Sequence, residues 1–287
     1  MYKNFYQLQE KPFSLLPDPN FLYMGKKHSL AYSMLKYGLE SEAGFTVITG
    51  EVGCGKTTLI RHLLNQMPQE LAVGLITNTH KALGNLLQWI AYAFDVDFKG
   101  KDDAELYQDL VDFMIQKYAQ GKRVVIIVDE AQNMDPEILE ELRVFSNINA
   151  DKYQVLQIVI VGQPELRQVL QRQELRQFAQ RVVVDYHIDK LNQDEVRKYI
   201  HHRIQVAGGD PDIFSDCAIE AISNYSGGVP RLVNSLADMA LVYGYAEQKK
   251  IIDKTTVNEV VKDRSHKGSG ITPFTQDRNI NRQIAAI

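Results

Sequence analysis

A chain of 287 residues, 45% apolar and 24% charged, has an ordinary globular composition and is long enough for one large domain or a core with a smaller companion. A formal charge of −4 gives no global pull toward nucleic acid or anionic lipid. Two cysteines make no disulfide framework, no apolar run approaches the ~18–20 residues of a membrane span, and the N-terminus is polar rather than signal-like, so the cytoplasm is the expected compartment.

The chain opens on an aromatic, proline-rich stretch, Met1 to Met24, in which Phe5, Tyr6, Phe13, Phe21 and Tyr23 are interleaved with Pro12, Pro17 and Pro19. Proline removes a backbone donor and blocks helix interiors, so this stretch is predicted as neither a regular helix nor a central strand. It reads as an arm docked on a domain surface, and its end is also a candidate wall for a base pocket. A short helix, Ser29 to Glu40, then leads to the β-branched strand Phe45–Thr49.

Next come Gly50, Glu51, Val52, Gly53, Cys54, Gly55, Lys56, Thr57 and Thr58, which fit G-x-x-x-x-G-K-[ST]. Leucines and isoleucine at helical spacing follow, Leu59 to Leu64, and strand–glycine loop–helix is the context that makes this motif credible. The glycines let successive N–H groups wrap a phosphate, and the helix N-terminus adds partial positive charge. Lys56 is then expected on the β- and γ-phosphates and Thr57 on Mg²⁺. Cys54 reads either as a thiol activated by its neighbours or as a small residue filling the loop.

A second strand is predicted over Leu71–Thr77, and helices over Leu83–Phe94 and Ala104–Tyr118, with Trp89 as packing rather than a ligand platform. Val124 to Val128 is a continuous apolar run, the pattern of a strand buried on both faces of a parallel sheet. It ends in Asp129-Glu130-Ala131-Gln132, placing two acids at the edge where such sheets bind ligands. Asp129 is expected to hold Mg²⁺, directly or through water, and Glu130 to polarise an attacking water. Another buried strand, Val155–Val161, ends at Gly162-Gln163, and Gln163 reads equally as a γ-phosphate contact or a turn residue. One helix is predicted from Glu165 to Gln180, closing at Arg181 before the strand Val182–Tyr186. Arg167, Arg172 and Arg176 read as solvated surface, whereas Arg181 sits at a junction.

After Lys190 only helical segments appear: Gln193–Val206, Asp216–Asn224, Pro230–Gln248 and Thr255–Asp263. Pro230 suits a first helical turn, so Arg231 opens its helix. His201 and His202 are adjacent and share no helical face, so no metal site is expected there. The organisation predicted is α/β: a P-loop core with its arm over 1–190, a small all-helical domain over 191–264, and a polar, flexible tail over 265–287.

The order P-loop, Val-Asp-Glu-Ala-Gln, Gly-Gln-Pro-Glu-Leu, Gln-Arg, Gly-Val-Pro-Arg resembles an AAA+ ATPase. Within that class the chain is similar to the ExeA family of secretion ATPases, general secretion pathway protein A, which includes MshM-type and exosortase-associated ATPases. Met1 to Tyr6, Pro12-Phe13-Ser14, Pro17-Asp18-Pro19 and Leu142 to Asn147 extend the likeness, which covers roughly Met1 to Asp263. The resemblance implies a central parallel sheet flanked by helices with a helical lid. It implies ATP and Mg²⁺ as ligands, Gln163 as sensor 1 and Arg231 as sensor 2. It further implies Arg181 as arginine finger, with Arg176 the fallback, and an adenine pocket near Phe21 and Tyr23. The ExeA protein itself continues into a membrane span and a peptidoglycan-binding module, and this chain carries neither, so a short, MshM-like form or a partner-recruited motor is expected.

The function so implied is ATP hydrolysis by a homo-oligomer, ring or filament, coupled to assembly of a bacterial envelope machine. The site is cytoplasmic or peripheral on the inner membrane through a partner. Two alternatives stand beside it. One is a transposition target-selection ATPase that coats double-stranded DNA, against which the acidic balance argues mildly. The other is a nucleotide-dependent scaffold with negligible hydrolysis, which Asp129 and Glu130 disfavour.

Overall fold

The computed structural model describes residues 1–66, 71–77, 79, 84–150 and 153–266. Contacts group them into two compact units. One comprises Lys26–Glu51 with Leu59–Ile188; the other comprises Met1–Gly25, Val52–Thr58 and the chain from Asp189 onward.

The first unit is built on five parallel strands: β1 (Phe45–Gly50), β2 (Leu71–Ile76), β3 (Arg123–Val128), β4 (Leu156–Gly162) and β5 (Val182–Ile188). Their order across the sheet is β2-β3-β4-β1-β5. The three central strands are the continuous apolar runs, and almost every residue in them is buried, as a strand covered on both faces requires. Edge strand β5 mixes buried and exposed positions. Thr49 on β1 is in register with Gly162 on β4, and Val128 on β3 with Ile160 on β4, so β4 and β1 run two or three residues past the end of β3. The helices of this part of the chain are α1 (Lys26–Glu40), α2 (Lys56–Gln66), α3 (Leu86–Ala93), α4 (Asp103–Ala119) and α5 (Pro136–Phe145), followed by α6 (Glu165–Leu170) and α7 (Arg176–Ala179). Leu106, Leu110 and Met114 of α4, with Leu139 and Leu142 of α5, pack in one core with Val124, Ile126, Ile158 and Ile160. Trp89 is buried in the same core. The ends of α3 and α4 are set by reciprocal side-chain caps, Asn85 with Gln88 and Asp102 with Glu105.

The single helix predicted over 165–180 is not formed. It is split into α6, a 3₁₀ turn Gln173–Leu175 and α7, with Arg172 extended at φ −64°, ψ 148°. Leu166, Leu170, Leu175 and Phe178 are all buried, and the five-residue step from Leu170 to Leu175 is the reason. On an unbroken helix that step would swing Leu175 about 140° off the buried face. The predicted start of the α3 helix, Leu83, lies outside the described residues, as does residues 267–287 of the predicted tail; the last helix runs two residues past Arg264, to His266.

The second unit is helical: α8 (Gln193–Val206), α9 (Asp216–Ser226), α10 (Pro230–Ala246) and α11 (Lys254–His266). The opening arm belongs to its core. Tyr2, Tyr6, Leu8, Phe13 and Phe21 are buried with Val196, Ile200, Ile219, Val233 and Leu236. The arm does contain one helical turn, Tyr2–Phe5, because the first proline comes only at position 12, and a 3₁₀ turn Pro19–Phe21 capped by Asp18. Arg203 of α8 clamps it. This guanidinium, 7% exposed, lies 4.8 Å from the Phe21 ring centroid and donates to the carbonyls of Pro12 and Ser14 and to the Tyr199 hydroxyl. The turn before α10 depends on Gly228, at φ +75°, where an added Cβ would fall 1.9 Å from the Leu191 carbonyl oxygen.

Candidate functional site

The predicted site residues fall into two groups, one in each unit. In the helical unit the group is the glycine loop from Val52 to Thr58 with the start of α10, while Gly50 and Glu51 belong to the sheet unit. Gly53 and Gly55 have φ of +77° and +99°, the conformations for which glycine is needed, and α2 begins at Lys56 directly after the loop. Lys56 is 5% exposed and Cys54 1% exposed, while Thr57 and Thr58 are half-buried in the first helical turn. Burial favours the space-filling reading of Cys54 over the reactive one. No acidic side chain occupies the first turn of α2, so nothing there offsets the partial positive charge of its N-terminus. The Arg231 backbone N–H donates to the Gly53 carbonyl at 3.1 Å, and a Cβ on Gly53 would meet the Arg231 Cβ at 2.4 Å. The loop and Arg231 are therefore in van der Waals contact, and the Arg231 side chain is exposed.

Tyr23 lies in the same unit, its ring 6.1 Å from that of Tyr199 and 5.8 Å from that of His202. Burial, and secondarily the charge of Glu195, raise the Tyr23 hydroxyl above its ordinary pKa. Burial and the adjacent Arg203 push His202 below the usual imidazole range, which favours its neutral form. Phe21 is covered by Arg203.

In the sheet unit the second group sits at the carboxyl ends of β3 and β4. Asp129 is 5% exposed; its N–H donates to the Ile76 carbonyl at 2.8 Å, and its carboxylate accepts the Glu130 N–H at 2.9 Å. Glu130 adopts a left-handed conformation, φ 54° and ψ 36°, uncommon for a residue with a side chain and shared among the described residues with Gln7, Glu42, Asp95 and Gln248. Its carboxylate accepts two amide donors, Gln132 Nε2 at 2.6 Å and Gln163 Nε2 at 3.1 Å. The Gln132 Oε1 in turn accepts the Gln163 backbone N–H at 2.9 Å. Gln163 is thus not merely a turn residue: both its backbone and its side chain are tied into this network. The sequence motif gives Gln132 no role of its own; its position two residues after Glu130, at the end of a buried strand, is the only signal of it in the sequence.

Arg181 follows α7 and reaches the end of α5. Its Nη1 donates to the Ser146 hydroxyl at 3.1 Å and the Arg143 carbonyl at 3.3 Å. Arg176 is exposed, and Arg167 is paired with Asp185 at 2.8 Å.

Residues 39–170 match the family model described as an AAA domain. The chain carries an AAA-type ATPase core. Along with that family goes nucleotide binding. The chain is also 42% identical over 247 residues to general secretion pathway protein A of Aeromonas hydrophila, a match covering 86% of this chain and 45% of that protein. The AAA core and its helical extension therefore span about half the length of that relative. Among solved structures it is similar to the ORC2 protein of Aeropyrum pernix in its ADPNP and ADP complexes, with 18% identity, a TM-score of 0.66, and 88% of this chain and 71% of that one covered. The Cdc6p protein of Pyrobaculum aerophilum gives 17% identity and a TM-score of 0.67, covering 86% and 71%. The RuvB Holliday junction branch migration motor of Thermotoga maritima gives 16% and 0.54, covering 83% and 69%. These identities speak for the fold alone, and the AAA arrangement expected from the motif order is the one found. No helix among the described residues is long and apolar enough to cross a membrane.

Proposed function

We propose that the chain is a Mg²⁺-dependent ATP hydrolase, active as a homo-oligomer, that serves the assembly or remodelling of a bacterial envelope machine. The observation that carries the hydrolytic part is Glu130: a carboxylate aimed by two amides, in a left-handed backbone conformation, at the end of a buried parallel strand. An acid held this way is suited to take a proton from water, whereas a cap or turn acid needs no such clamp. The residues present also suit the cation, since the Thr57 hydroxyl and Asp129 carboxylate are the hard oxygen donors that Mg²⁺ prefers. When bound, it neutralises charge developing on the transferred phosphoryl group.

The remaining roles follow from charge and donor type. The loop N–H groups and Lys56 take the phosphates, and Arg231, in contact with the loop through its backbone, adds a guanidinium as sensor 2. Gln163 couples the γ-phosphate to Glu130, since its amide already reaches that carboxylate. Tyr23 offers a ring to the adenine. Arg181 acts on the nucleotide of a neighbouring subunit, its hydrogen bonds to the end of α5 fixing where the guanidinium is presented. The envelope role is supported by the relationship to general secretion pathway protein A.

The test is turnover measured against protein concentration, with and without double-stranded DNA, alongside size by light scattering. The proposal expects activity that rises with assembly, requires Mg²⁺ and is indifferent to DNA. A rate independent of oligomerisation would remove the oligomeric part. Assembly that occurs only on DNA, without turnover, would place the chain among DNA-coating regulators instead.

A further inference from the structure

Away from the nucleotide residues, the sheet unit carries an open groove of about 700 Å³ between the first turns of α3 and α4 and the length of α5. Its floor is apolar: Leu86, Leu87, Tyr107, Val144 and Phe145 line it, and Val144 is 55% exposed, high for a β-branched apolar residue on a helix. Its rim is acidic: Asp103 from α4, and Glu137, Glu140 and Glu141 from α5. Among the described residues no lysine or arginine lines it.

The α5 pattern is the informative part. Glu137, Glu140, Glu141 and Val144 stand at i, i+3, i+4 and i+7, so a single helix face presents three acids and the apolar residue together. Like charges at this spacing destabilise a helix slightly, and only Glu137 lies in the first turn, where the macrodipole offsets the cost. Glu140 is half satisfied. One carboxylate oxygen accepts from Arg143 Nε at 2.5 Å, while the other is buried and without a hydrogen-bond partner. A buried carboxylate oxygen left unsatisfied carries a desolvation cost that an incoming donor would relieve. Among the described residues no group of His, Cys, Asp or Glu is placed to hold a metal ion, so the rim is too spread for a cation.

From this complementarity we propose that the groove is a docking site for a basic partner segment with apolar anchors, in which Lys or Arg residues meet the rim and aliphatic side chains enter the floor. The α5 face would engage it as amphipathic segments engage grooves generally, with anchors one turn apart. The inference stands apart from the hydrolytic reading, because binding is measured without nucleotide.

The probe is a fluorescently labelled helical peptide of leucine and lysine with leucines at i, i+4 and i+7, followed by anisotropy. Controls are the same peptide with glutamate for lysine and one with alanine for leucine. The wild-type chain is expected to bind only the first, with affinity falling as salt rises. The double variant Glu137→Lys/Glu141→Lys changes two exposed side chains and should bind roughly tenfold more weakly or worse. Val144→Asp, also exposed, is the second variant and should weaken binding through the floor. Equal affinity of wild type and both variants, with unchanged circular dichroism, would overturn the proposal, as would equal binding of the alanine control. Two further results overturn the assignment to a partner: displacement of the probe by a peptide of residues 267–287, or loss of self-association in the variants. Either would make the occupant this chain itself.

Discussion

Replacing Gln132 with leucine removes both of its hydrogen bonds at nearly constant volume, in a half-buried position where an apolar side chain is tolerated. The bond to the Glu130 carboxylate, at 2.6 Å, is charge-assisted and of a kind worth about 1.5–3 kcal/mol. Glu130 keeps its second donor, Gln163 Nε2, but that amide is itself less constrained once Gln132 Oε1 no longer holds the Gln163 N–H. If the lost orientation is felt at the transition state, turnover falls roughly 10- to 150-fold, since each ~1.4 kcal/mol is a factor of ten. The nucleotide should bind as before, because Gln132 is not among the residues assigned to the phosphates. The assay is phosphate release across ATP concentrations, paired with calorimetric titration of a non-hydrolysable analogue and a thermal melt. A drop in kcat with KM and Kd within about twofold is the expected split for a group acting on the chemical step alone. Unchanged kcat would refute the claim that the amide clamp aims Glu130. So would affinity lost in step with kcat, which would make the network a structural support for the whole site.

Lys56→Ala should abolish ATP binding by calorimetry, and unchanged affinity would remove the P-loop assignment. Glu130→Gln should keep ATP and lose turnover; near-normal phosphate release would move the general base elsewhere. Arg181→Ala should bind ATP yet lose turnover on the order of 10³-fold, and mixing it with Glu130→Gln should restore partial activity. No recovery across mixing ratios, with mixed oligomers shown to form, would place Arg181 in its own subunit's site or outside the chemistry, its bonds to Ser146 and Arg143 then being purely structural. Arg203→Met should cost about 3 kcal/mol or more through lost charged hydrogen bonds and ring contacts, read as a lower urea midpoint with faster proteolysis within residues 1–25. An unchanged midpoint would show that the guanidinium contributes nothing net to holding the arm.

Much of this architecture was legible because the signals were local. Val124–Val128 announces a doubly covered strand by having no polar residue at all, and the acids after it can only lie at its carboxyl end. The glycine loop is legible because its spacing is tied to one geometry. What failed was longer in range. The 165–180 stretch is rich in good helix formers, and only the positions of Leu170 and Leu175, five apart, betray the break, a mismatch that matters once a core exists to demand both. The role of Gln132 depends on the left-handed turn at Glu130, which redirects the following side chains and which no propensity predicts for a glutamate. The arm was recognisable as something that docks, but its partner, the helices after Asp189, could not be read from its own residues.

That last pairing has a consequence for how the chain comes off the ribosome. The strands and helices between Lys26 and Ile188 are contiguous in sequence, apart from the phosphate-loop residues, and have all their strand partners once β5 is made. The other unit needs Tyr2, Phe13 and Phe21 together with helices that end at His266. Its first aromatic side chains emerge early and must wait for α8 to α11. The 241 residues from 26 to 266 take roughly 12–48 s at about 5–20 residues per second, and until they are made the opening segment lacks part of the core that covers its rings. A nascent-chain chaperone has its longest opportunity at residues that are finally buried.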